Sequence, residues 1–295
     1  MNVQWYPGHM TKAKRQMLED LKLIDLVIEL VDARVPLSSR NPDIDEMAKG
    51  KSRLMLLNKS DLADESCTDM WKTYFEEKGF TVCIVNSLKN TDVRKIQDQI
   101  RQVCAAKIER DRSRGIKNRP VRAMITGIPN VGKSTFINTF SRKGAAKTGN
   151  KPGVTKGKQW IRLSKTLELL DTPGILWPKF EDQNIGIHLA LVGSIRDEIL
   201  NTEELALELI RLLGILYPGT LEQFYGLPEE ITVPEDPEVM PEHVMLARIA
   251  AARGCIGKGG RIDYARAANM LLENFRNGKI GRFTLDRIET KTDGR

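Results

Sequence analysis

A glycine-rich stretch at residues 127–135, with the sequence GIPNVGKST, constrains the fold of this chain more than any other feature. The apolar run Val121–Thr126 before it predicts a buried strand, and residues 134–140 after it favour a helix. Glycines let backbone N–H groups turn inward around a phosphate chain, and the helix presents its positive end to the same anion. Strand, loop and helix together predict a P-loop.

The residue types in this loop suit particular parts of a nucleotide. We expect Lys133 to reach the β- and γ-phosphates as a catalytic residue, and the Ser134 hydroxyl to ligate Mg²⁺. A glycine-rich turn that matches by chance would not explain the flanking strand and helix. The predicted nucleotide-binding residues of the loop are Asn130, Val131, Gly132, Lys133, Ser134 and Thr135.

A second motif, Asn58-Lys59-Ser60-Asp61, follows an apolar run that predicts a strand over residues 53–57. The Asp61 carboxylate can accept hydrogen bonds from the ring N–H and the exocyclic amine of guanine, and adenine offers neither donor. We expect the Lys59 stem to lie over the base and Asn58 to tie this loop to the P-loop. Asn and Asp after a strand often make only a turn, but beside a P-loop they predict guanine recognition.

A third, weaker match extends the predicted base site. Residues 80–85 predict a strand, and Ser87 and Leu88 lie in the short polar turn that follows it. The backbone N–H of Leu88 is expected to face the guanine O6.

Two further segments predict the γ-phosphate and Mg²⁺ site. Thr155 lies in a polar, glycine-rich stretch at residues 142–158, and its Pro-Gly-Val-Thr context favours it over Thr148 as the residue that closes over the γ-phosphate and Mg²⁺. Asp171 follows an apolar run at 167–170 and is expected to hold Mg²⁺ through water, while the Gly174 N–H senses the γ-phosphate.

Composition limits the class of protein without identifying it. The formal net charge of +7 is a weak signal for a polyanionic partner, and the four cysteines are too far apart for a zinc site or a disulfide framework. No apolar run approaches the ~20 residues that cross a bilayer. We therefore expect a cytoplasmic protein with reduced thiols and no membrane partner.

The motifs together resemble a G domain with a rotated order, because the guanine-reading elements precede the phosphate-binding ones. The set is similar to the circularly permuted GTPases and most closely to the ribosome biogenesis GTPase A family (RbgA, also called YlqF). The opening Trp-Tyr-Pro-Gly-His-Met at residues 5–10 and the Asp-Ala-Arg-Val-Pro loop at 32–36 belong to the resemblance. The resemblance implies GTP hydrolysis coupled to late assembly of the large (50S) ribosomal subunit.

The same resemblance implies an α/β fold in two parts. Residues 1–177 are expected to form a circularly permuted P-loop G domain, with a mostly parallel sheet covered by helices on both faces. Residues 178–295 are expected to form an all-helical domain that binds rRNA or a pre-ribosomal particle. The expected form is a monomer that binds GTP and GDP.

Basic residues in the later part of the chain are the candidates for RNA contact. A solvated basic face is the simpler interpretation of the same charges. A regulatory G protein whose C-terminal helices bind a protein partner, without RNA, is the alternative function. The predicted RNA-binding residues are Arg253, Lys258, Arg261 and Arg266.

Activation of the attacking water needs a side chain from outside the position where G proteins usually carry it. Many G proteins place a glutamine directly after the glycine equivalent to Gly174, but Ile175 stands here. His9 follows a Pro-Gly turn on a segment that can fold over the nucleotide, so it is the candidate catalytic residue. A flexible terminus or an RNA contact would explain His9 equally well.

Asn130 resembles the asparagine with which potassium-dependent GTPases hold K⁺ beside the phosphates, so the resemblance implies K⁺ as a possible second cation. A loop asparagine that makes only a local turn is the other interpretation.

Periodicity predicts several further helices. Thr11 is expected to cap a helix that runs to residue 21, and residues 92–114 are expected to form one long helix. In the C-terminal region the predicted helices lie at residues 182–191, 202–213, 241–253 and 262–276.

The base-reading assignment predicts a change of nucleotide preference. Asp61→Asn should weaken GTP binding and favour xanthosine triphosphate, because xanthine has a ring carbonyl where guanine has the exocyclic amine. Dissociation constants for both nucleotides measure the effect. Unchanged GTP affinity in the variant would mean that the base is read elsewhere.

Overall fold

The computed structural model describes residues 9–89, 93–116, 119–141, 159–172, 182–227 and 240–288, with backbone only for residues 9–14 and 159. Two predicted site residues, Thr155 and Gly174, lie outside this part of the chain, as do Thr148 and Ile175.

The described chain forms strands at Leu26–Asp32 (β1), Ser52–Asn58 (β2), Thr81–Ile84 (β3), Val121–Thr126 (β4), Gln159–Arg162 (β5) and Leu167–Asp171 (β6). Its helices are His9–Leu21 (α1), Asp43–Met47 (α2), Glu65–Glu77 (α3), Val93–Val103 (α4), Ala105–Ser113 (α5), Lys133–Ser141 (α6), Gln183–Leu191 (α7), Thr202–Leu216 (α8), Thr220–Tyr225 (α9), Pro241–Ala252 (α10) and Tyr264–Arg276 (α11).

The strands form one six-stranded sheet in the order β3-β2-β1-β4-β6-β5. All neighbours are parallel except β5, which runs antiparallel to β6 at one edge. The first strand of the chain, β1, therefore lies in the middle and joins the guanine-motif strands to the P-loop strand. This arrangement confirms the predicted mostly parallel α/β sheet.

Helices cover both faces of the sheet, as predicted. On one face Trp71 and Phe75 of α3 pack in a buried cluster with Met55 and Leu57 of β2. On the other face, alternate residues of the same strand join a larger cluster with the buried residues of α4 and α6. Successive side chains of a strand point to opposite faces of the sheet, and here both faces are buried. This explains the continuous apolar runs in the sequence.

The C-terminal region is mainly helical in its described part, and residues 281–288 form neither helix nor strand. Leu209 and Leu213 of α8 pack with Leu271 and Phe275 of α11, and this core continues into the large cluster of the sheet. Because the buried side chains are continuous, the boundary at residues 177/178 stays a prediction. Among the helices described, none is long and apolar enough to span a bilayer.

Two local predictions were wrong, and one helix was missed. Residues 93–113 form two helices, because Cys104 leaves the helical conformation at φ −95° and ψ 4°, and the Ser52 hydroxyl donates to the Val103 carbonyl. Helix α1 begins at His9, so Thr11 lies inside it and does not cap it. The six-residue helix α9 was missed because it is too short to show a period.

Candidate functional site

The guanine motif, the P-loop and Asp171 converge at one edge of the sheet. β1 ends at Asp32, β2 at Asn58 and β6 at Asp171, while the P-loop leaves the end of β4. Carboxyl ends of parallel strands form the edge at which open α/β sheets bind ligands. Motifs far apart in the sequence therefore face the same space.

Two P-loop glycines have no room for a side chain. A Cβ at Gly127 would lie 2.6 Å from the Leu30 carbonyl oxygen. Gly132 has φ 102°, and a Cβ there would collide with Nδ2 of Asn58. The loop can approach β1 and the guanine motif this closely only because both positions are glycine.

Lys133 is the first residue of α6 and is buried. Its Nζ donates to the carbonyl oxygens of Gly127 at 2.9 Å and Ile128 at 2.8 Å. Burial lowers the pKa of Lys133 to about 8, although the Asp171 carboxylate opposes the shift. A phosphate beside the amine would raise this pKa again and favour the charged lysine that binds it.

Asp171 lies opposite this lysine and fits a cation site. It is buried, and its Oδ1 makes no hydrogen bond to the described residues. Burial raises the pKa of Asp171, and Lys133 opposes that rise. Mg²⁺ binds through one or two protein oxygens plus phosphate and water, which suits Asp171 together with half-buried Ser134. In the described ranges, no group of three or more His, Cys, Asp or Glu could hold a metal.

Asn58 joins three predicted motifs through one side chain. Its Nδ2 donates to the Val131 carbonyl in the P-loop at 2.7 Å. Its Oδ1 accepts from the Ser87 N–H at 3.0 Å and from the Ser87 hydroxyl at 2.7 Å. The expected tie between Asn58 and the P-loop is present, and Ser87 faces Asn58. The Ser87 carbonyl also accepts a hydrogen bond from the Thr139 hydroxyl of α6.

Lys59 is held by a buried carboxylate that the sequence did not identify. Its Nζ lies 3.0 Å from Oδ2 of Asp32, and Arg34 binds both oxygens of Asp32 at 2.9 and 2.8 Å. Burial would raise the pKa of Asp32, but Arg34 and Lys59 together hold it well below its usual range. Lys59 has φ 59°, an uncommon conformation for this residue type, and the ion pair fixes it there.

Asp61 and Leu88 are the two predicted base-reading residues, and both are exposed at this edge. The Leu88 N–H donates to Oδ1 of Asn86 at 2.9 Å, so the turn is ordered by its own asparagine. Contact between this N–H and guanine O6 stays a prediction.

Asn130 connects the P-loop to the helical region. It has φ 59°, and its Nδ2 donates to the Gly193 carbonyl, just beyond α7, at 2.8 Å. This contact fixes the orientation of the amide. Half-buried Thr135, also predicted for the site, lies in the first turn of α6.

The histidines differ in their surroundings. His9 opens α1, a helix anchored in the core by Met17 and Leu21, but its side chain is outside the description. His188 is buried, and its Nδ1 lies 2.7 Å from Oδ1 of Asp286. His243 is exposed on α10.

The basic residues predicted to bind RNA are all exposed around the turn between α10 and α11. The Arg253 guanidinium donates to the Phe224 carbonyl at 3.1 Å and lies 5.1 Å from the Tyr225 ring centroid. Tyr264 is 38% exposed between Arg261 and Arg266. Arg253 therefore has a packing role that the sequence did not indicate.

Three groups near the site were missed by sequence reasoning: Asp32, Arg34 and the C-terminal segment at residues 282–286. The Asp-Ala-Arg-Val-Pro loop was visible in the sequence, but nothing in it indicated a lysine partner. The C-terminal segment has neither periodicity nor a motif.

The chain is similar to known GTPases. The family described as 50S ribosome-binding GTPase matches residues 122–212. Ribosome biogenesis GTPase A of Bacillus cereus is 47% identical over 289 residues, which covers 98% of this chain and 95% of that protein. The Thermotoga maritima protein of the same name is 33% identical over 294 residues, with 98% and 96% covered.

A solved structure has a similar fold. GNP-bound YlqF from T. maritima gives a TM-score of 0.63 at 28% identity, and the match covers 94% of this chain and 99% of that chain.

The close approach at Gly132 predicts the effect of one methyl group. Gly132→Ala should lower nucleotide affinity by at least about tenfold, because the Cβ displaces Asn58 and with it the P-loop. The matched control is Gly214→Ala in α8, where a Cβ meets nothing within 4 Å. Fluorescent-nucleotide titration measures both variants. Equal affinity in the two would contradict the steric argument.

Proposed function

The chain belongs to the ribosome biogenesis GTPase A family, and from this premise we propose that it is a GTP-hydrolysing assembly factor for the large ribosomal subunit. It binds pre-ribosomal particles through rRNA and releases them on hydrolysis, as a cytoplasmic monomer. The observation that carries the proposal is the convergence of the P-loop, Asp171 and the guanine motif at one sheet edge, joined by Asn58.

The residues of the site have distinct roles in this proposal. Lys133 and the P-loop N–H groups bind the phosphates, and Asp61 selects guanine. Ser134, Thr155 and Asp171 would hold Mg²⁺, which would supply positive charge beside the transferring phosphoryl group. Gly174 senses the γ-phosphate.

Particle binding is assigned to the exposed basic residues of the helical region. Lys258, Arg261 and Arg266 carry charge on a turn that also exposes Tyr264, and RNA-binding surfaces combine cations with an aromatic ring. This combination favours RNA over the alternative, a regulatory G protein with a protein partner only.

Charge reversal at this surface tests the function. Arg261→Glu with Arg266→Glu should reduce co-sedimentation with large-subunit precursors in a non-hydrolysable GTP analogue, most steeply as salt rises, because phosphate contacts depend on counterion release. The fold should survive, since Arg266 follows the N-cap Asp263 by three residues, where glutamate favours a helix start. GTP affinity should stay unchanged.

The matched control is Arg94→Glu with Lys95→Glu, which makes the same charge change in the first turn of α4. Wild-type binding by the 261/266 variant, or equal loss in both, would contradict the assigned surface. Association that does not respond to salt would support the protein-partner alternative.

The second cation gives another prediction. A K⁺ held with the help of Asn130 would add positive charge beside the phosphates, so GTP hydrolysis should be faster in K⁺ than in Na⁺. Cations bind oxygen atoms, so the Asn130 Oδ1 is the atom proposed to face the ion. Asn130→Asp should alter the ion preference. Equal rates in the two salts would exclude a K⁺ role.

His9 is proposed to position the attacking water. His9→Ala should keep nucleotide affinity and particle binding and lose most particle-stimulated turnover, by about 10²–10⁴-fold. His243→Ala, at an exposed position of α10, is the matched control and should behave as wild type. Full turnover by His9→Ala would exclude the role, and equal loss of particle binding would make His9 an RNA contact.

A further inference from the structure

We propose that the C-terminal segment at residues 282–286 is part of the guanine-binding site, where it positions Asp61, and that Arg282 is a positioning residue for base selection. The inference rests on the proposed role of Asp61 in reading guanine. It assigns to the end of the chain a role in nucleotide specificity.

The segment holds the backbone on both sides of Asp61. Arg282 donates from Nη2 to the Ser60 carbonyl at 3.0 Å and from Nε to the Ala63 carbonyl at 2.9 Å. The Phe283 N–H donates to the Leu62 carbonyl at 3.0 Å. The loop between β2 and α3 is thus bonded immediately before and immediately after the base-reading carboxylate.

The same segment also binds the loop that carries the Lys59 partner. The Leu285 N–H donates to the Arg34 carbonyl at 2.7 Å, and the Thr284 hydroxyl donates to the Ala33 carbonyl at 3.2 Å. The Arg34 side chain reaches the Arg276 carbonyl at the end of α11, at 3.3 Å. Both charged residues of the guanine motif are therefore positioned from the C-terminal side.

Burial makes the C-terminal segment at residues 282–286 a rigid brace for the Asp61 loop. Residues 283–286 are buried, although the segment has no helix or strand of its own. The Asp286 carboxylate accepts from the Leu37 and Ser38 N–H groups at 2.7 and 2.8 Å, and from the Ser38 hydroxyl at 2.7 Å. An extended segment fixed at this end can hold a loop in one position without belonging to the sheet.

Asp61 itself is exposed, so the proposed brace acts on its backbone. A carboxylate that accepts from two adjacent guanine donors at once needs a backbone held in one position, because a small displacement weakens both hydrogen bonds together. Base discrimination should therefore depend on the brace more strongly than phosphate binding does.

Arg282→Ala tests the brace, because this side chain is exposed and its removal leaves no cavity. We expect GTP and GDP affinities to fall by about three- to tenfold, as for lost charge-assisted hydrogen bonds. Inosine triphosphate lacks the exocyclic amine, so its affinity should fall less, and the GTP-to-ITP ratio should drop. The kcat at saturating GTP should not change.

Two matched variants accompany it. Arg282→Lys keeps one donor nitrogen and should recover part of the GTP-to-ITP ratio. Arg211→Ala removes an exposed arginine of α8, whose Nε donates to Oε2 of Glu208 in the same helix at 2.9 Å. It should keep the wild-type ratio.

The outcomes separate the brace from the guanine assignment. An unchanged GTP-to-ITP ratio in Arg282→Ala, or the same change in Arg211→Ala, overturns the proposal. Asp61→Asn measured in parallel tests the site itself. If Asp61→Asn alters the ratio and Arg282→Ala does not, only the brace fails; if neither alters it, the base is read elsewhere and both fail.

Discussion

The whole site depends on the Asn58 side chain. One amide donates to the P-loop and accepts from the Ser87 loop, so it joins the base-reading half of the chain to the phosphate-binding half. Both ends of the amide are used in a buried position, where an unmet donor or acceptor is costly. Gly132 makes the bond between Asn58 and the P-loop possible, because a larger residue at this position would not let the P-loop come so close to Asn58.

The rotated order of motifs changes which parts of the chain can influence the nucleotide. The helical region meets the site from two sides. It contacts the P-loop through the bond between Asn130 and Gly193, and it contacts the guanine loop through residues 282–286. A partner that shifts the helices relative to the sheet would therefore act on both phosphate and base contacts.

How much the sequence could predict depended on how far apart in the chain the interacting residues lie. Strands β2, β3, β4 and β6 were predictable because their apolar runs lead into a motif, as at Asn58 and Asp171, whose residue types indicate their chemistry. The ion pair of Lys59 with Asp32 was not predictable, because the pairing of these two residues follows from the parallel register of β1 and β2. The bond from Arg34 to the Arg276 carbonyl joins positions 242 residues apart, and no local pattern records it.

The position of residues 282–286 has a consequence for biosynthesis. A ribosome makes the chain from its N-terminus, so β1, β2 and the Asp61 loop emerge before the P-loop, and the C-terminal segment emerges after both. A nascent chain can build the sheet and its phosphate-binding loop while the bonds around Asp61 are still missing. Under the proposed role of residues 282–286, tight loading with guanine nucleotide awaits translation of this segment, and a chain terminated before it would remain a poor competitor for the cellular GTP pool.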